Sequence, residues 1–240
     1  MSTDRAVRRA GMRAILPLVL LAACSQAAPP KATAAAFPPA SRPIAAIVSP
    51  RFSTEDQRES ASEAKRVMDS AATRPGMTVA DIGAGEGYYT VRLASRVGPT
   101  GRVVAEDIMA DTTAKLADRI KRAGIGNVTV TLGTPEDPKL AAGGFDQIYL
   151  VHMYHEISAP YEFLWRLRPA LKPGGRVVIV DADRPTANHG TPPALLDCEL
   201  AAVGYARVGG ERIAAVDAYV ALYEARGPRP EPAAIKPCKA

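Results

Sequence analysis

Met77-Thr78-Val79-Ala80-Asp81-Ile82-Gly83-Ala84-Gly85-Glu86-Gly87 is the stretch on which the fold turns. A short apolar run ends in three glycines spaced two apart, and a helix carrying Val91, Leu93 and Val97 follows. Strand, glycine loop and helix in that order put the loop at the carboxyl end of the strand, where open α/β sheets bind their ligands. Glycine lets a ligand approach the backbone closely. The third glycine of the dinucleotide fingerprint belongs one residue later, where Tyr88 stands, and Asp81 would repel a pyrophosphate. The acid suits instead a ligand that carries an ammonium group.

Outward from this loop the alternation of helix and strand continues. Thr54 and Gln57 form a capping-box pattern that predicts a helix reaching about Thr73. Strands are expected over 77–82, 102–106, 128–132, 147–151 and 176–180, with helices over 111–123, 161–171 and 193–203. Single helices between strands require right-handed crossovers and so a mostly parallel sheet with helices on both faces. That is a doubly wound α/β domain. Two segments at the end, 205–208 and 218–224, predict an antiparallel C-terminal hairpin.

With these elements in order, the chain resembles the class I S-adenosylmethionine-dependent methyltransferases. Asp81 to Gly87 resembles their first motif, and Gly101-Arg102-Val103-Val104-Ala105-Glu106-Asp107-Ile108 their second strand. Leu171-Lys172-Pro173-Gly174-Gly175 resembles the turn before the fifth strand. The resemblance implies a seven-stranded, Rossmann-like methyltransferase fold over most of residues 55–225, with S-adenosylmethionine as cofactor. It implies that Asp81, Gly83, Gly85 and Gly87 form the cofactor loop and that Asp107 bonds the ribose hydroxyls. Glu106 is the rival for that role, although its side chain belongs to the other face of the strand. The family often has an acid after the third strand to meet the adenine amine. Thr134 holds that position here, with Glu136 and Asp137 close by as substitutes.

The ends of the chain differ from the middle. Of 21 prolines only ten fall within 51–226, the span expected to hold the folded domain. Residues 24–50 are mostly alanine and proline and read as a tether, and 227–240 read as a Pro-rich tail. Arg5, Arg8, Arg9 and Arg13 precede a ten-residue apolar run, too short to span a bilayer as a helix. Residues 1–23 therefore read as an export signal. Leu21-Ala22-Ala23-Cys24 resembles the lipobox of bacterial lipoproteins, which implies a lipid on Cys24 and a place in the cell envelope, facing the periplasm. Ser25 after the cysteine favours the outer membrane. Without residues 1–23, the 30 basic and 25 acidic residues become 26 and 24, so the basic balance is no sign of nucleic acid as a partner. Cys198 and Cys238 remain as a pair able to form a disulfide in an oxidising compartment.

Methyl transfer from a sulfonium is an in-line displacement, governed by positioning and helped by a base where the nucleophile carries a proton. All three histidines fall on loops at the carboxyl edge of the expected sheet: His152 and His155 after the fourth strand, His189 after the fifth. An imidazole pKa of about 6.5 suits proton removal at neutral pH. His155 is the first candidate base, Glu156 a neighbour able to orient it, and His189 the next candidate. The histidines and nearby acids match no metal-binding spacing, and no metal is expected. These features point to an enzyme that methylates a small-molecule or lipid-like acceptor. The alternative is an envelope lipoprotein that keeps the fold as a non-catalytic binding or scaffold module. A nicotinamide oxidoreductase ranks third, because the glycine spacing is wrong for it.

Overall fold

The structure is a computed structural model that describes Met1 and residues 37–47 and 54–239. Its centre is a sheet of seven strands: β1 (Thr78–Ile82), β2 (Arg102–Asp107), β3 (Val128–Leu132), β4 (Phe145–Val151), β5 (Leu171–Ala182), β6 (Tyr205–Ile213) and β7 (Ala218–Ala225). They lie in the order β3-β2-β1-β4-β5-β7-β6. The first five are mutually parallel, and β7 runs antiparallel to both β5 and β6. The order reverses at β1, so the loop after β1 sits at the switch point. The doubly wound sheet and the antiparallel hairpin expected from the sequence are both present.

Consecutive residues of the central strands serve opposite faces, as a two-residue period demands. Ile148, Leu150 and Ile179 pack on one face with Leu164, Leu167, Leu196 and Leu200. These leucines come from α5 (Pro160–Leu167) and α6 (Pro193–Ala202). Val79, Tyr149, Val178 and Val180 pack on the other with Val67, Leu93 and Val97, from α2 (Glu63–Ser70) and α3 (Tyr88–Val97). Helix α4 (Ala110–Arg122) adds Leu116 and Ile120 against Ala105 of β2.

Three local readings need correction. The capping box at Thr54 forms, but the helix it opens, α1 (Glu55–Ser60), stops after six residues, and α2 begins after Ser62 in a left-handed conformation. The break turns Glu63 inward, where its carboxylate accepts from Arg58 and from the Tyr89 hydroxyl. The expected turn at 172–175 is an irregularity within β5, where the pairing with β4 shifts register. Strand β6 runs five residues further than expected, through Gly209 and Gly210. A side chain at Gly210 would come within 2.2 Å of the Val220 carbonyl oxygen, so here glycine permits the strand instead of ending it.

Residues 37–47, assigned by composition to the tether, lie against the domain. Arg42 is buried, with Nε 3.0 Å from Glu199 Oε1 and its terminal nitrogens donating to the carbonyls of Tyr154, His155 and Ile157. The Ala45 N–H donates to the His155 carbonyl. At the other end, Cys238 is bonded to Cys198 of α6, the pairing the sequence suggested. The Trp165 Nε1–H donates to the Pro230 carbonyl, and Arg229 stacks on the Trp165 ring. The lipobox-like tetrad, Cys24 and the rest of 2–36 lie outside the described residues. Among the described residues, no helix is long and apolar enough to cross a membrane.

Candidate active site

The loop after β1 is built by hydrogen bonds from β2. The Ala84 N–H donates to the Glu106 carbonyl, and the Gly85 N–H donates to Asp107 Oδ2 at 3.0 Å. The other Asp107 oxygen accepts from the Met109 N–H at 2.9 Å, so one carboxylate fixes the loop and the end of β2 together. Gly85 has φ +55, and a side chain there would meet nothing within 4 Å. The loop thus presents left-handed backbone to open space, the form a close-lying ligand requires. Gly83, at the strand end, faces Met153. At Gly87 a Cβ would lie 2.3 Å from Leu116 Cδ1, so its lack of a side chain also serves the packing of α3 on α4.

Three carboxyl groups, Asp81, Glu106 and Asp107, are gathered beside this space. Asp81 is buried, and Thr90 Oγ1 donates to it at 2.6 Å. Burial is the main cause that pushes its pKa up to about 6, and the Asp107 charge adds to it. Glu106 is pushed up to about 8, first by burial and then by Asp107, and its Oε1 has no hydrogen-bond partner among the described residues. Carboxyl groups at Asp81 and Glu106, whose ionisation burial and the Asp107 charge oppose, suit a ligand that brings positive charge in an ammonium and a sulfonium. The residues therefore fit S-adenosylmethionine, with Asp81 and Asp107 flanking the loop. Thr134 is less well placed than the resemblance implies. Its hydroxyl lies 3.3 Å from the Asp137 carbonyl and 3.2 Å from the Asp137 N–H, which draws it into its own turn.

The three histidines reach the same edge of the sheet by different routes. His152, in a left-handed conformation after β4, has Nε2 3.4 Å from Glu63 Oε2. His155 lies on the 3-10 turn Tyr154–Glu156 and is buried, with Nδ1 3.0 and 3.1 Å from the two oxygens of Asp181. Asp181, near the end of β5, is fully buried and also accepts from Thr191 Oγ1 at 2.7 Å and the Ala182 N–H at 2.9 Å. A carboxylate only accepts, so Nδ1 carries the proton and Nε2 is the basic nitrogen. The orienting acid is thus Asp181, where the sequence suggested Glu156. A charged residue closing an apolar strand at the ligand edge was the signal for it. His189 stands with its ring perpendicular to that of His155, 5.4 Å between centroids. Burial, then the His155 charge, lowers its pKa below the usual imidazole value.

Comparison with known proteins gives the family. The model of the family described as "Methyltransferase domain" matches residues 73–204, from the approach to β1 through α6. The chain belongs to this family. Nocamycin O-methyltransferase of Saccharothrix syringae is 39% identical over 85 residues, 35% of this chain and 30% of that protein. A ubiquinone/menaquinone biosynthesis C-methyltransferase of Hydrogenovibrio crunogenus is 30% identical over 123 residues, 51% of this chain and 48% of that one. The chain thus spans about half or less of the length of these relatives. The crystal structure of an Aquifex aeolicus protein described as a SAM-dependent methyltransferase superposes with a TM-score of 0.63 at 22% identity, covering 67% of this chain and 88% of that one. At that identity the likeness speaks for the fold. As a family member, the chain has its glycine loop, Asp107 and His155 all within the matched residues.

Proposed function

We propose that this methyltransferase-family chain transfers a methyl group from S-adenosylmethionine to a small-molecule or lipid-like acceptor. The observation that carries the reading is the open left-handed loop at Gly85, tied to Asp107, within a match to the family that spans 73–204. The sulfonium supplies an activated methyl group. Asp81, Gly83, Gly85 and Asp107 hold the cofactor, and the edge formed by His155, Glu156 and His189 receives the acceptor and promotes its ionisation. One relative methylates oxygen and another carbon by their descriptions, so the acceptor atom is left open. No specific observation favours the non-catalytic scaffold. An envelope location with Cys24 lipidated belongs to the same proposal. It is supported by the tetrad 21–24 and by the Cys198–Cys238 bond, since disulfides persist in oxidising compartments.

Calorimetry of the full chain with S-adenosylmethionine, S-adenosylhomocysteine and NAD tests the cofactor. Both sulfur ligands should bind and NAD should not; binding of NAD alone would overturn the reading. Once an acceptor is found, His155→Ala should lower turnover by about 10² to 10⁴ with cofactor affinity nearly unchanged. Mass spectrometry of the membrane fraction should show diacylglyceryl-modified Cys24, and a soluble unmodified chain would refute the location.

A further inference from the structure

The acceptor edge holds a donor set that methyl transfer does not by itself require. His155 and Glu156 leave β4 on one 3-10 turn, and His189 closes a loop after β5. One ligand atom from each of the three lies within 4.8 Å of the others. Two imidazoles and a carboxylate form the donor set of open divalent-metal sites. The orientation of His155 adds a second observation. Histidines that ligate metals give their other ring N–H to a carboxylate, which fixes the tautomer and raises ligand basicity. Here His155 Nδ1 is committed to both oxygens of Asp181, and Thr191 and Ala182 hold Asp181 in turn. Nε2 is left as the nitrogen able to ligate.

We propose that His155, Glu156 and His189 bind one divalent ion of the zinc class, with Asp181 positioning His155 from behind. Ligand bonds of 2.0–2.2 Å place tetrahedral donors about 3.4 Å apart, so side-chain rotations must close the set by at most about 1.4 Å. The loop that carries His189 is itself well fixed. His189 has φ 56, its N–H donates to the Thr186 carbonyl, and the Thr191 N–H closes the loop onto the Ala182 carbonyl at 2.9 Å. Gly190 has no room for a side chain, because a Cβ would lie 2.6 Å from the Ala182 carbonyl oxygen. Three protein ligands leave a coordination position open. This inference rests on the reading of this edge as the acceptor site, and there the open position suits an acceptor hydroxyl or thiol. Binding exchanges the acceptor's O–H or S–H proton, released to solvent, for a bond to the ion.

The test is titration of metal-free full-length protein with Co²⁺, followed by visible absorption, and with Zn²⁺ by calorimetry. One ion per chain is expected, with d–d bands for Co²⁺. His189→Ala and Glu156→Gln should weaken binding at least tenfold, and Asp181→Asn by about 10- to 100-fold through loss of orientation. Thermal melts of each variant without metal separate lost ligation from lost folding. Absence of stoichiometric uptake, or uptake indifferent to His189→Ala in a folded variant, overturns the proposal. S-adenosylhomocysteine binding measured in chelator reads the cofactor site separately, so failure of the metal site and failure of the methyltransferase reading give different results.

Discussion

Single residues divide the glycine loop into open and core-facing positions. Gly85 is the open one, and on the proposed function Gly85→Val should reduce S-adenosylhomocysteine affinity at least tenfold in calorimetry while near-ultraviolet circular dichroism stays close to the parent. Equal affinity would show that the ligand approaches elsewhere. Glu106 makes a prediction of a different kind. Its raised pKa means that the native state keeps a proton the unfolded chain releases near 4.5. The stability from that proton is complete below about pH 4.5 and is lost as pH rises through about 8, and Asp81 adds a smaller loss of the same sign up to about pH 6. Urea titrations at pH 5 and pH 9 should therefore show the parent losing about 4 kcal/mol through Glu106. Glu106→Gln, neutral at both, should show a markedly smaller loss, whereas an unchanged pH slope would mean that Glu106 ionises normally.

At the scale of elements, the strap over residues 37–47 departs most from what the sequence suggested. Arg42 and Glu199 are both buried, 3.0 Å apart, and the Tyr154 hydroxyl donates to the same carboxylate at 2.7 Å. Removing one partner of a buried pair leaves the other charge uncompensated, at a cost of about 3 to 5 kcal/mol. Arg42→Ala should cost about that in chemical denaturation, and Arg42→Met with Glu199→Leu should recover much of it. A chain started at residue 51 would lose the same contact. The alanine and proline of this stretch cannot form a core and read as a tether; its single arginine finds a carboxylate 157 residues away, a pairing no local pattern encodes. The strands, the sheet and the cofactor loop were legible because two-residue and helical periods, and glycines at a strand end, are local signals. The roles of Asp181 and Gly87 depend on which elements meet, and the break at Ser62 on where Glu63 must point. These were not.

On the scale of the whole domain, the strap over 37–47 and the C-terminal tail are both fastened to α6. The strap reaches Glu199, and the tail reaches the neighbouring Cys198 through Cys238, whose N–H also donates to the Tyr161 hydroxyl at 2.6 Å. The helix therefore couples the strap and the tail to the turn that carries His155, while the cofactor loop follows β1, next to β4 in the sheet. Closing a loop of 40 residues restricts the unfolded chain by about 4 kcal/mol on the chain-entropy model. Cys198→Ser combined with Cys238→Ser should lower stability by up to that amount, a fall in Tm of roughly 8 to 16 °C for a domain of this size. Because the bond ties tail to helix and touches neither Gly85 nor Asp107, S-adenosylhomocysteine affinity should change less than twofold. Calorimetric melts and ligand titrations of oxidised, reduced and doubly substituted protein decide the matter: coincident melts would show that the tail is held by its other contacts, and a large loss of affinity would show that α6 reaches the cofactor loop.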